Sequence, residues 1–256
     1  MTLQIQAIKA FNDNYIWCLT KGNQCVVVDP GDASPVIAHC EAHNLVLSAI
    51  LITHHHWDHT NGLADLVSRH PHIPVYGPLN PDIALVNHRV QQDDLIKLED
   101  LELEFRVLAV PGHTLDHIAF YAKGLLFCGD TLFSAGCGRL FEGSASQMHQ
   151  SLSKLAALPG DTLVYCTHEY TLANIKFALA VEPMNKALLE YQLWAQQQRE
   201  QQLATLPSTI AQERAINSFL RCDAAQVKAS VEAFWQQTII DEESTFAALR
   251  RWKDQF

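Results

Sequence analysis

The sequence predicts an α/β (α+β) protein in two parts, a mixed-sheet domain over residues 1–168 and a small all-helical domain over 169–256. Three observations predict it. Short apolar runs rich in β-branched residues, closed by Gly, Pro or Asp, recur as far as Cys166. From Thr171 onward no convincing strand remains, and Met184, Ala187, Leu188, Tyr191 and Trp194 recur at helical spacing instead. The densest group of ligand-type side chains, Thr53-His54-His55-His56-Trp57-Asp58-His59-Thr60-Asn61-Gly62, stands where a strand gives way to a helix, the place where α/β sheets present ligands. Strands first and helices last suit a sheet domain with a helical appendage.

Each element has its own warrant. Leu3–Ile8 alternates, Tyr15–Leu19 follows, and Cys25–Val28 stops at Asp29-Pro30-Gly31-Asp32, a strong turn. Residues Pro35–Asn44 read as a short helix carrying His39 and His43, four apart on a partly exposed face. The run Leu47–Ile52 reads as a buried strand and Gly62–Val67 as the start of a helix. Residues 71–100, broken by Pro71, Pro74, Pro78 and Pro81, resist assignment, and His70, His72 and His88 lack ligand spacing and read as surface residues. Strands resume at Leu101–Leu108, Ile118–Tyr121 and Leu125–Cys128; Ser144–Leu158 reads as a helix and Thr162–Cys166 as a final strand. Segments 209–220, 223–237 and 241–253 complete the helical part.

Composition limits the function. With 48% hydrophobic and 18% charged residues in 256, the chain can bury a core. A formal charge of −10 argues against a nucleic-acid partner, which would need a basic patch. The 7 cysteines are odd in number and form no Cys-x-x-Cys pair, as expected of free thiols in a reducing compartment. Cys166, close to His168, has a conceivable ligand or nucleophile role beside the plainer reading as strand core. The amino terminus lacks the features of a secretory signal, and no apolar run approaches the ~20 residues of a membrane span. The expectation is a cytoplasmic monomer acting on a small molecule.

The chemistry starts from spacing. His54 and His56 are two apart, so an extended backbone presents both imidazoles on one side, and Asp58 and His59 follow where the chain turns. Four ligand-type residues in so short a stretch exceed what one tetrahedral zinc takes from a single loop, so two adjacent ions are the economical reading. Histidine runs also occur as tags, but this one is internal and lies behind an apolar strand. His113, Asp130 and His168 each follow a strand, in or beside a turn. Any one alone could be an ordinary polar strand end.

The pattern His-x-His-x-Asp-His resembles the signature of the metallo-β-lactamase superfamily, which implies an αββα sandwich. Over essentially the full chain the match is to its glyoxalase II (hydroxyacylglutathione hydrolase) branch. It is carried by Asp13–Trp17, Val28–Gly31, Thr53–Gly62, Pro111–Thr114, Phe127–Phe133, Gly136–Arg139, Phe141–Gly143, His168–Thr171, Asn217–Arg221 and Lys253–Phe256. The resemblance implies one metal on His54, His56 and His113, a second on Asp58, His59 and His168, and Asp130 bridging both. Two divalent ions are implied, zinc first, with iron or manganese also suited to such donors. They would lower the pKa of a bridging water toward ~7, and the resulting hydroxide would attack a thioester. Asp58 and Asp130 would be the catalytic carboxylates. The implied substrate is S-D-lactoylglutathione, cleaved to D-lactate and glutathione as the second step of methylglyoxal detoxification. Arg139, Phe141, Tyr170 and Arg221 are its implied contacts, with Arg221→Ala expected to raise KM. Asp29 reads equally as a support for a ligand histidine or as a turn residue, Trp57 as packing under the loop, and His117 as structural.

The chain departs from the family pattern at Asp116, where a glycine is usual, and at Phe141, where some members carry tyrosine; Arg139 replaces a lysine. Rival readings are an iron-dependent glutathione persulfide dioxygenase, a metallohydrolase for another ester or lactone, and a non-catalytic metal-binding module.

Overall fold

The computed structural model describes residues 2–256 and divides the chain into two compact units. The first runs up to Ala109 and resumes over Asp116–Gly129. In it β1 (Gln4–Ala10), β2 (Asn14–Lys21) and β3 (Gln24–Val28) form an antiparallel meander, with Gln4 opposite Thr20 and Trp17 opposite Val28. Helix α1 (Ala33–His43) then crosses over, so that β4 (Val46–Leu51) can pair with β3 in parallel. Helices α2 (Trp57–Thr60) and α3 (Leu63–Arg69) precede β5 (Val75–Pro78) and β6 (His88–Val90), which extend the sheet in the order β1-β2-β3-β4-β5-β6.

Strands β2 and β3 are buried almost throughout, which is why they read as continuous apolar runs. One set of their side chains, including Ile16, Cys18, Cys25 and Val27, packs in one cluster with Val36 of α1 and Leu63 and Leu66 of α3. Asp32 caps α1 by accepting from Ser34 N at 2.9 Å, and Asn44 closes it in the left-handed region at φ 52°.

An antiparallel ladder follows. It comprises β7 (Leu95–Leu98), β8 (Leu103–Ala109), β9 (Ile118–Ala122) and β10 (Leu125–Gly129), with Leu95 opposite Arg106 and Arg106 opposite Tyr121. Phe105, Phe120 and Phe127 are fully buried, Phe105 meeting the other two edge-on. The proline-rich stretch therefore contains three short strands that no local pattern announced. Strand β5 pairs with β4 and β6, and β7 with β8, over runs too short to show a period. His70, His72 and His88 are exposed.

The second unit comprises Val110–Leu115 and Asp130–Phe256. Strands β11 (Leu132–Phe133) and β12 (Gly136–Cys137) form a small hairpin. Helix α4 (Ala145–Ala156) opens with a capping box between Ser144 and Gln147, and β13 (Leu163–Cys166) leads to α5 (Thr171–Val181) and α6 (Lys186–Glu200). A two-residue strand, β14 (Ser208–Thr209), pairs antiparallel with β13, so a strand does follow Thr171; two residues carry no period to read. Then come α7 (Ile210–Ile216), a 3₁₀ turn at Ser218–Leu220, α8 (Ala225–Trp235) and α9 (Glu242–Lys253). Ile175, Ala178, Leu188, Tyr191 and Ile216 form one core, and the rings of Phe177, Phe219, Phe246 and Trp252 pack against one another nearby. Among the described residues no helix is long and apolar enough to cross a membrane, and all seven cysteines are free thiols.

Candidate metal centre

In the first unit the donors are set by a relay of hydrogen bonds. At the end of β3, Asp29 takes a left-handed backbone at φ 53° and turns its buried carboxylate back toward β4. Its Oδ1 accepts from Thr53 N at 2.8 Å and its Oδ2 from Thr53 Oγ1 at 2.7 Å. Since Thr53 Oγ1 donates there, its contact with His54 Nδ1 at 3.0 Å must be one in which the imidazole donates. That tautomer leaves His54 Nε2 as a lone-pair donor. His59 Nδ1 faces Asp29 Oδ2 at 3.0 Å, a close electrostatic contact between two buried side chains. Asp29 is thus both turn and support. Gly31 is required behind it, because a Cβ there would lie 1.8 Å from the Asp58 carbonyl oxygen.

The donor atoms sit at telling distances. His54 Nε2 is 3.1 Å from His56 Nδ1, and His59 Nε2 is 3.6 Å from Asp58 Oδ2, which also accepts from Asn14 Nδ2 at 3.0 Å. In the second unit, Asp130 Oδ2 lies 3.5 Å from His113 Nε2 and 3.3 Å from His168 Nε2. His113 Nδ1 donates to the Arg139 carbonyl at 2.8 Å, which places the lone pair on Nε2. Two donors each about 2.0–2.1 Å from one tetrahedral ion stand about 3.3–3.4 Å apart. The observed spacings bracket that edge, and His54, His59, His113, Asp130 and His168 are buried. The donor sets of both units fit borderline divalent cations. Gly112, at φ +154°, lets the His113 loop approach α4, where a Cβ would meet Met148 Cβ at 2.7 Å.

The substrate-contact candidates have different surroundings. Tyr170 lies flat on His168, with ring centroids 4.6 Å apart, and Phe141 stands edge-on to His113 at 5.2 Å; both are exposed on their other sides. Arg139 is largely exposed and reaches Asp254 at 3.6 Å. Arg221 differs. Its Nε and Nη2 donate to the fully buried Glu182 at 3.1–3.2 Å, and its Nη1 to the Arg214 carbonyl at 3.3 Å. These bonds give Arg221 a structural role in place of the substrate contact expected from sequence. Trp57 is also corrected: it is 64% exposed, touching Phe11 edge-on at 5.1 Å, and does not pack under the loop.

Sequence reasoning left several residues without a role. Asn14 fixes Asp58. Arg250 donates to Asp254 at 2.9–3.1 Å and to the Cys137 carbonyl at 3.0 Å. Burial, and then the neighbouring Arg250 charge, pushes the Lys253 ammonium down to about 8. The signal available was the closing Arg-Arg-Trp-Lys-Asp, a concentration of cations in an acidic chain.

A family model described as the metallo-beta-lactamase superfamily matches residues 12–168, and one described as the hydroxyacylglutathione hydrolase C-terminus matches 169–256. A hydroxyacylglutathione hydrolase of Aliivibrio salmonicida is 53% identical over 255 residues, covering 99% of this chain and 100% of the relative. The chain belongs to the hydroxyacylglutathione hydrolase family. A second member, from Aeromonas hydrophila, is 52% identical over 250 residues, covering 97% of this chain and 98% of its own. Solved structures place the fold of this family member in the metallo-β-lactamase class. ETHE1 from Myxococcus xanthus gives a TM-score of 0.66 at 24% identity, covering 99% of this chain and 98% of that one. The BLEG-1 B3 metallo-beta-lactamase gives 0.64 at 22%, covering 85% and 99%.

Proposed function

We propose that this chain hydrolyses S-D-lactoylglutathione and related S-(2-hydroxyacyl)glutathiones to the 2-hydroxy acid and glutathione, the second step of methylglyoxal detoxification. Two divalent ions, zinc first, serve the reaction: one on His54, His56 and His113, the other on Asp58, His59 and His168, with Asp130 shared. The observation that carries this reading is the set of donor pairs at tetrahedral-edge spacing, with His54 and His113 each donating a hydrogen bond from Nδ1 and His59 and His168 facing carboxylates. Triads drawn from these seven residues could each hold an ion, as could the separate group His55, Asp116 and Glu142. Family membership supports it over the whole chain.

When bound, such ions supply a water-derived nucleophile at neutral pH and polarise a carbonyl. The chain's own residues do the rest. Asn14 sets the Asp58 rotamer before substrate arrives. Asp58 and Asp130 bring the negative charge that balances the cations. Tyr170 and Phe141 form apolar walls over His168 and His113. Arg139, Arg250 and Lys253, with Asp254 as counter-ion, receive the carboxylates of glutathione, and residues 169–256 act as the substrate-binding segment. A thiol leaving group has a pKa near ~8.5, so it departs as thiolate without a strong general acid. No such acid is needed among these residues.

The test is kcat/KM of the metal-replete protein on S-D-lactoylglutathione beside the same acyl group on a small thiol. A strong preference for the glutathione ester supports the reading, and comparable slow rates overturn the substrate. Metal analysis runs in parallel. Two ions per chain fit a hydrolase, whereas one iron per chain fits the dioxygenase reading.

A further inference from the structure

The segment Asp116–Ile118 runs alongside Thr53–His55 in antiparallel register, with three successive contacts. Ile118 N donates to the Thr53 carbonyl at 2.9 Å. The His117 ring stacks on His54 at 4.4 Å and 17°. His55 Nδ1 donates to Asp116 Oδ1 at 2.9 Å, the direction being fixed because a carboxylate only accepts. The middle contact needs Gly129, since a Cβ there would come within 2.9 Å of the His117 ring. The outer contact is itself held. Asn80 Nδ2 donates to Asp116 Oδ2 at 2.8 Å, and the amide is oriented because its Oδ1 accepts from Asp82 N at 2.9 Å. Arg89 in turn donates to the Asn80 carbonyl.

We infer that Asp116 is a positioning residue for the metal loop: anchored by Asn80, its carboxylate fixes His55 and thereby the spacing of His54 Nε2 and His56 Nδ1 on either side. This rests on the metal reading above. Side chains hold this stretch: Thr60 Oγ1 donates to the His56 carbonyl at 3.0 Å, and His55 donates to Asp116. The Asp116 side chain is only 11% exposed and that of His55 27%, so the pair is sheltered enough to hold one geometry.

The experiment is zinc affinity by competition with a chromophoric chelator, on wild type, Asp116→Ala, Asp116→Asn, His55→Ala and the double variant Asp116→Ala/His55→Ala. Loss of a group that orients a metal ligand costs 10–100-fold in affinity, and because His55 acts through the backbone the lower end, about 10-fold, is expected for Asp116→Ala. His55→Ala should match it, and the double variant should be no weaker than either single one, since all three remove the same contact. Asp116→Asn keeps an acceptor for His55 but turns an NH2 toward Asn80 Nδ2, itself a donor, so it should recover at most part of the loss. Thermal unfolding of the metal-free forms separates a folding defect from a positioning one. An Asp116→Ala affinity equal to that of a two-zinc wild type overturns this inference alone. So does a third zinc equivalent in wild type that Asp116→Ala loses, which would make the pair ligands. A wild type that binds no zinc overturns the metal reading and this inference together.

Discussion

His59 Nδ1 lies 3.0 Å from Asp29 Oδ2, both side chains buried. The carboxylate stands against the His59 ring from outside the donor set, and it also accepts from Thr53 N and Thr53 Oγ1, which orients His54. One residue therefore supports imidazoles assigned to two different ions. Asp29→Ala should weaken zinc binding about 10–100-fold. It should also cost about 1–3 kcal/mol of stability, because the buried Thr53 N–H loses its acceptor. Chelator competition and urea unfolding read the two effects separately, and an unchanged zinc affinity would count against the relay.

Arg221 and Glu182 give the next expectation. Glu182 is fully buried and Arg221 has 31% of its side chain exposed. Removing one partner of a buried ion pair costs about 3–5 kcal/mol, and partial exposure of the arginine places Arg221→Ala toward the lower end, about 3 kcal/mol. Urea unfolding measures this. KM of the folded fraction should stay close to wild type, and a large rise in KM without loss of stability would return Arg221 to the substrate.

These two cases show what a sequence displays and what it hides. The period-2 spacing of His54 and His56 and the alternation of β8 are local, so the cluster of donor side chains and the ladder could be read directly. Asp29 could be seen as a turn, but its second role depends on Thr53, 24 positions on. Glu182 is 39 positions from Arg221 and Asp116 is 61 from His55, and no local pattern connects such pairs. Strands β5, β6 and β7 were hidden because each is too short to carry a readable period, in a stretch broken by four prolines. Motif identity suggested that Arg221 belonged to the substrate; only the buried carboxylate opposite it reveals its structural work.

Trp57 sits between two ligands, yet 64% of it is exposed and its recorded ring contact is with Phe11, itself 46% exposed. A packing tryptophan would cost about 3–5 kcal/mol when truncated. Here Trp57→Ala forfeits an edge-on aromatic contact and little buried area, so about 1 kcal/mol is expected. Urea unfolding of the metal-free protein is the check, and a loss above about 3 kcal/mol would restore the packing role.

Lys253 supplies the pH dependence. Burial first, then the Arg250 charge, holds its pKa at about 8, against ~10.4 for a free lysine. If its charge receives a glutathione carboxylate, KM should rise as pH passes from 7 to 9 and the ammonium is lost. Lys253→Met should have a high, flat KM over that range, while Lys253→Arg should keep a low KM beyond pH 9. Stability must move the other way. Between about 8 and ~10.4 the unfolded chain binds the proton that the folded chain has released, so the lysine's contribution to stability rises with pH across that window. Wild type should therefore gain stability relative to Lys253→Met from pH 8 to 10 in urea unfolding, over the range in which its KM worsens. Parallel slopes, or a KM profile shared by wild type and Lys253→Met, would remove Lys253 from the substrate end of the site.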